Sequence, residues 1–83
     1  KTSITFSTEN KAGALSKILN IFDKNGINMS YIDSRPSKKE LGEYVFYIDF
    51  EGHINDEKTK NAFSEMEQFV KMFYVIGSYH SVG

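Results

Sequence analysis

Between Ala12 and Asn25 the residues Ala14, Leu15, Ile18, Leu19, Ile21 and Phe22 recur at helical spacing, and the segments flanking this stretch alternate with the period of a strand. A chain that switches period in this way must pack a helix against a sheet. Upstream, Lys1 to Ser7 sets Ile4 and Phe6 on one side and Thr5 and Ser7 on the other, and Thr8-Glu9-Asn10-Lys11 turns the chain, with Asn10 placed to cap the helix. Downstream, Asn25-Gly26 supplies the left-handed exit that helices favour, and Ile27 to Arg35 reads as a second strand. Pro36 removes a backbone donor at its end, which marks this strand as a sheet edge.

The remainder repeats the alternation. Ser37-Lys38-Lys39-Glu40-Leu41-Gly42 is a polar hairpin connection, and from Glu43 to Phe50 the residues Tyr44, Phe46, Ile48 and Phe50 alternate with Val45, Tyr47 and Asp49, the first set facing the core. Gly52 to Asp56 is a loop, and Asn55 or Asp56 caps a second helix running through Val70, with Ala62, Phe63, Met66, Phe69 and Val70 on its apolar stripe. Met72 to Tyr79 is the last strand. The order β-α-β-β-α-β, with right-handed crossovers, gives an α+β, ferredoxin-like sandwich: a four-stranded antiparallel sheet with both helices on one face. The 83 residues form one domain, 1–83, and the start at Lys1 reads as that of a domain cut from a larger protein.

Composition removes several classes of function. There is no cysteine, and His53 and His80 read as solvated surface residues too far apart for metal ligation, so no metal and no cofactor is expected. A net charge of −1 with dispersed Lys and Arg leaves no footprint for nucleic acid, and no apolar run is long enough for a membrane span or a signal peptide. These features are compatible with the cytoplasm. Nucleophilic catalysis lacks a nucleophile turn near either histidine, and Glu65, Glu67, Asp56 and Glu57 read as solvated carboxylates on an exposed helix face. A single-strand RNA binder would use Tyr47 as a stacking platform but has poor neighbours in Val45 and Asp49, and a phosphatase would need an anion loop that the sole arginine, Arg35, does not make.

Two segments remain that suit ligand binding. Gly13-Ala14-Leu15 opens a helix, where backbone amides and the helix dipole favour an anion such as a carboxylate, although Gly13 equally permits close packing of the first turn. Asp33-Ser34-Arg35-Pro36 closes an edge strand, where charges and a proline also guard against strand-to-strand aggregation. Residue by residue, Asn10-Lys11-Ala12-Gly13-Ala14-Leu15, Gly26-Ile27-Asn28-Met29-Ser30 and Asp33-Ser34-Arg35-Pro36-Ser37 resemble the ACT regulatory domain of aromatic amino-acid enzymes. The stretch Glu43 to His53 and the ending Ile76-Gly77-Ser78-Tyr79 resemble the form carried by prephenate dehydratases, whereas phenylalanine hydroxylase shares only the first two motifs.

That resemblance implies a non-catalytic module that binds L-phenylalanine between two copies of the chain and passes feedback inhibition to a catalytic domain. It implies that the amides of Gly13, Ala14 and Leu15, near Asn10, receive the ligand carboxylate. Groups along Asn28, Met29, Ser30, Tyr31 and Ile32 receive the ammonium, and Leu15, Met29 and Ile32 line the ring. Asp33, Ser34, Arg35 and Pro36 fix the edge strand, which pairs with its equivalent in a homodimer or higher homo-oligomer. A larger side chain at Gly13 is expected to fill ligand space at modest cost to the fold. Ala12 stands where the family often has proline, and Asp33 where it usually has glutamate, so the loop is freer and the carboxylate reaches less far. The alternatives are the regulatory domain of an aromatic amino-acid hydroxylase and, from another class, a dimerisation module that takes no ligand.

Overall fold

The structure is a computed structural model describing residues 1–39 and 41–78. Its elements are β1 (Thr2–Thr8), α1 (Lys11–Lys24), β2 (Met29–Pro36), β3 (Tyr44–Phe50), α2 (Glu57–Met66) and β4 (Met72–Ser78). The four strands form one antiparallel sheet in the order β2-β3-β1-β4, which makes β2 an edge as its proline requires. This is the ferredoxin-like arrangement.

Register follows from side-chain alternation. Ile4 pairs with Ile48 and Phe6 with Phe46, so both strands turn their apolar set to the helices. Phe6 and Phe46 stack with centroids 5.1 Å apart, and Phe22 of α1 meets Phe50 edge-on at 5.2 Å. Phe63 joins Phe73 at 5.0 Å and extends the cluster beneath α2. Each such ring removes apolar surface worth about 1.5–3 kcal/mol, and ring pairs add about 0.5–1.5 kcal/mol beyond that. Thr5, Ser7, Val45 and Tyr47 lie on the opposite face, which neither helix covers.

Several boundaries differ from the sequence reading. α2 ends at Met66 rather than Val70, because the amides of Phe69 and Val70 both turn back to the Met66 carbonyl at 3.1 and 3.2 Å. Phe69 and Val70 still pack on the core, but from a turn. β2 begins at Met29, leaving Ile27 buried ahead of the strand. Asp56 precedes α2, yet its carboxylate accepts from the His53 amide at 2.9 Å and makes no side-chain cap bond. His53 is half-buried rather than solvated, and its Nδ1 accepts from the Asn55 amide at 3.1 Å. Glu65 is also no free surface carboxylate: it pairs with Lys24 and accepts from Asn25 Nδ2 at 3.0 Å, tying the end of α1 to α2. Leu19, on the apolar stripe of α1, is 50% exposed. Tyr79, His80 and Glu40 lie outside the described residues.

Candidate functional site

Asn10 organises the start of α1. Its backbone is extended, its Oδ1 accepts from the Gly13 amide at 2.9 Å, and its carbonyl accepts from the Ala14 amide at 2.8 Å. The Leu15 amide belongs to the regular ladder of the helix. The opening amides without a helical partner are therefore those of Lys11 and Ala12. A Cβ placed on Gly13 would stand 3.0 Å from Asn10 Nδ2 and 3.1 Å from Cγ, so the missing side chain first serves the cap.

The flanks of α1 have different neighbours. Lys17 rests over the Phe69 ring at 5.2 Å and Lys24 pairs with Glu65, so that flank faces α2 and its exit. At 3.6 residues per turn, Ala12, Leu15 and Leu19 lie about 160° round the axis from those lysines. α2 leads into β4, and β2 lies at the opposite border of the sheet, so this second flank runs over the β2 edge. Ile32, on the helix-side of β2 opposite Ile48, is 37% exposed for want of a further strand. Leu15, Leu19, Met29 and Ile32 form an apolar border along that edge.

The opening of α1 and the Asn28–Met29 approach to β2 are at opposite ends of one copy, whereas Asp33–Pro36 lies at the same end as the α1 opening. Thr8 and Pro36 both pair with Tyr44, which puts the start of α1 at the Pro36 end of the sheet. Met29 and Thr2 both pair with Phe50 at the other end. With 14 residues, α1 spans about 21 Å between them. Asn28 already gives its carbonyl to the Glu51 amide at 2.8 Å, and Ser30 Oγ reaches the Asp49 carbonyl at 3.3 Å. Asp33 and Arg35 pair with each other at 3.0 Å on the helix-free face, in line with Tyr47 and Val45 of β3, while Ser34 and Pro36 share the helix-side with Ile32.

One cluster escaped the sequence reading. Lys71 Nζ lies 3.2 Å from Glu9 Oε1 and 3.3 Å from Glu43 Oε2, and the two carboxylates hold its ammonium above the usual lysine range. With Asn10, Gly13, Lys17 and Phe69 it borders a cleft of about 200 Å³ beside the opening turn. These three residues stand at the ends of different strands. Only the strand order β2-β3-β1-β4 brings them to one corner.

A β-α-β-β-α-β sandwich with the sheet order β2-β3-β1-β4 and both helices on one face is a ferredoxin-like domain. The ACT domain family is matched over residues 2–68, and the chain belongs to it. The bifunctional chorismate mutase/prephenate dehydratase of Aquifex aeolicus (strain VF5) is 46% identical over 79 residues, 95% of this chain and 22% of that protein. Prephenate dehydratase from Arthrobacter aurescens, solved in complex with L-Phe, has a TM-score of 0.84 at 33% identity, over 96% of this chain and 26% of that one. GqqA, described as a novel type of quorum quenching acylase, has a TM-score of 0.86 at 27% identity, over 98% and 42%. The chain thus spans less than a third of the length of the curated relatives it matches. No helix among the described residues is long and apolar enough to cross a membrane.

Proposed function

We propose that residues 1–83 act as one regulatory unit that binds L-phenylalanine between two copies of the chain and conveys feedback inhibition to the catalytic domain of a prephenate dehydratase, without catalysing a reaction itself. The observation that carries this is the separation, along one protomer, of the α1 opening from the start of the Asn28–Ile32 segment. An antiparallel pairing of two β2 edges brings Asn28–Ile32 of one copy beside the α1 opening of its partner, and two equivalent sites arise from one two-fold axis. Asn10, Gly13, Ala14 and Leu15 frame the carboxylate, the uncommitted amides of Lys11 and Ala12 supply donors at the positive end of the helix, and Asn28, Met29, Ser30, Tyr31 and Ile32 meet the ammonium and ring. Asp33, Ser34, Arg35 and Pro36 keep the edge strand extended. The unit takes no cofactor and no metal, and it works in the cytoplasm.

Isothermal calorimetry and thermal unfolding of the chain with phenylalanine test this, with tyrosine and tryptophan as comparison ligands. A hundredfold excess over Kd stabilises a binder by about 2.7 kcal/mol, roughly 10–20 °C in Tm for a domain of this size. Light scattering should show the mass double as phenylalanine is added. A flat melting temperature and no heat with phenylalanine would remove the reading and leave a dimerisation module without ligand.

A further inference from the structure

We propose that the helix-free face of the sheet holds a second small-molecule site, for a carboxylate carried on an apolar ring or chain and lacking an ammonium group. A cleft of about 580 Å³ lies there, well within the size range of ligand sites. Val45, Tyr47 and Met72 give it an apolar floor, and Lys38 and Lys39 of the β2–β3 hairpin stand at its rim with Arg35. This cleft is on the opposite side of the sheet from α1, so the inference does not rest on the edge-site reading.

Charge and hydrogen bonding set the ligand class. Among the described residues, the acidic groups at the cleft are already engaged: Glu43 faces Lys71 at 3.3 Å, and Asp33 holds Arg35 at 3.0 Å. Lys38 and Lys39, both exposed, leave the rim with a positive excess among the described residues. An amino acid seated here would bring an ammonium that meets no uncommitted carboxylate among the described lining residues, and burying it unpaired is costly. A simple carboxylate has the right sign. At the floor, the Thr5 hydroxyl oxygen is shut off from solvent and has no hydrogen-bond partner among the described residues. Such orphaned groups are uncommon in folded proteins, and this one lies in a cross-strand row between Tyr47 and Tyr74. Both tyrosines are partly exposed, 39% and 61%, and a ligand that displaces the Tyr47 ring would bring an oxygen to this hydroxyl.

The test is a titration of the ¹⁵N-labelled chain with 3-phenylpropionate, which has the ring and carboxylate of phenylalanine without its ammonium. Saturable amide shifts at Thr5, Ser7, Val45, Tyr47 and Met72 are expected, and Thr5→Val should weaken binding about tenfold, the scale of one hydrogen bond to a charged group. The double variant K38A/K39A, altered only on exposed side chains, should weaken it further and flatten its dependence on salt. Shifts confined to Lys11–Leu15 and Asn28–Ile32 would overturn the second site and assign the probe to the edge. Shifts that never saturate, or an unchanged affinity in both variants, would overturn it outright.

Discussion

Gly13 and Asn10 are matched as lock and space: the Asn10 side chain caps α1 by accepting from the Gly13 amide at 2.9 Å, and a Cβ on Gly13 would lie 3.0 Å from Asn10 Nδ2. Filling Gly13 therefore disturbs the cap before it reaches any ligand, and a bulky variant there is a poor probe of binding. Two opposing effects follow for Gly13→Ala. Alanine in a helix gains about 1 kcal/mol over glycine, while a displaced cap costs about 1 kcal/mol. Gly13→Ala alone should change stability little, Asn10→Ala should cost about 1 kcal/mol, and Gly13→Ala made in the Asn10→Ala background should recover most of that loss. Urea unfolding of the four proteins measures the coupling, and strict additivity would contradict it.

Gly52 is held in a conformation open to few other residues. Its φ is +129°, and an added Cβ would meet Thr59 Oγ1 at 3.3 Å and Asp56 Oδ2 at 3.4 Å. Its carbonyl also accepts from Thr2 Oγ1 at 2.8 Å, anchoring the loop to β1. Gly52→Ala should destabilise the fold by about 1–3 kcal/mol through backbone strain. Gly26→Ala is the control: its φ is +67° but nothing lies within 4 Å of the added atom, so its penalty should be the smaller of the two.

The elements that could be read in advance were those governed by local rules. Asn10 caps α1 and Gly26 closes it, with φ +67°, because capping and left-handed exits are decided within a few residues. Tyr44 to Phe50 declared its buried side through strict alternation. Features set by tertiary placement were hidden. Leu19 has the spacing of a core residue, but its flank overhangs the sheet border, which only the strand order determines. Glu65 looked solvated until α1 brought Lys24 and Asn25 to it, and Lys71 met Glu9 and Glu43 only when three strand ends converged. At the candidate site, composition and motif identified the segments. The separation of the α1 opening from Asn28–Met29 along one copy, and the prior use of the Gly13 and Ala14 amides, are set by the fold and have no local signal.

Acid stability should carry the mark of Glu65. Its bond from Lys24, then that from Asn25, hold the carboxyl below the usual glutamate range. A depressed folded value means that the unfolded chain takes up the proton first as pH falls, so this stabilisation is complete above the unfolded value near 4.3 and fades as pH drops through the folded one. Glu65→Gln should lower stability at neutral pH and make the acid limb of the stability profile shallower. The two proteins should converge at the lowest pH. A constant offset between their curves, followed by chemical unfolding at each pH, would mean that Glu65 acts by packing alone.

Leu19 separates pairing from folding. Half exposed in the isolated protomer, it adds little to the core, so Leu19→Glu should leave monomer stability within about 0.5 kcal/mol of the parent. On the flank of α1 above β2, a β2-to-β2 pairing would instead bury it close to its symmetry mate across the two-fold axis. Two glutamates brought together there would repel as well as lose apolar contact, and the ligand would have to overcome both to hold the pair. Sedimentation of the variant should show a monomer at concentrations where the parent with phenylalanine is dimeric, and calorimetry should show the phenylalanine affinity fall at least tenfold. Lys17→Glu, on the flank facing α2, should leave the dimer intact. If Leu19→Glu still dimerises with phenylalanine as the parent does, the pairing does not run along this border.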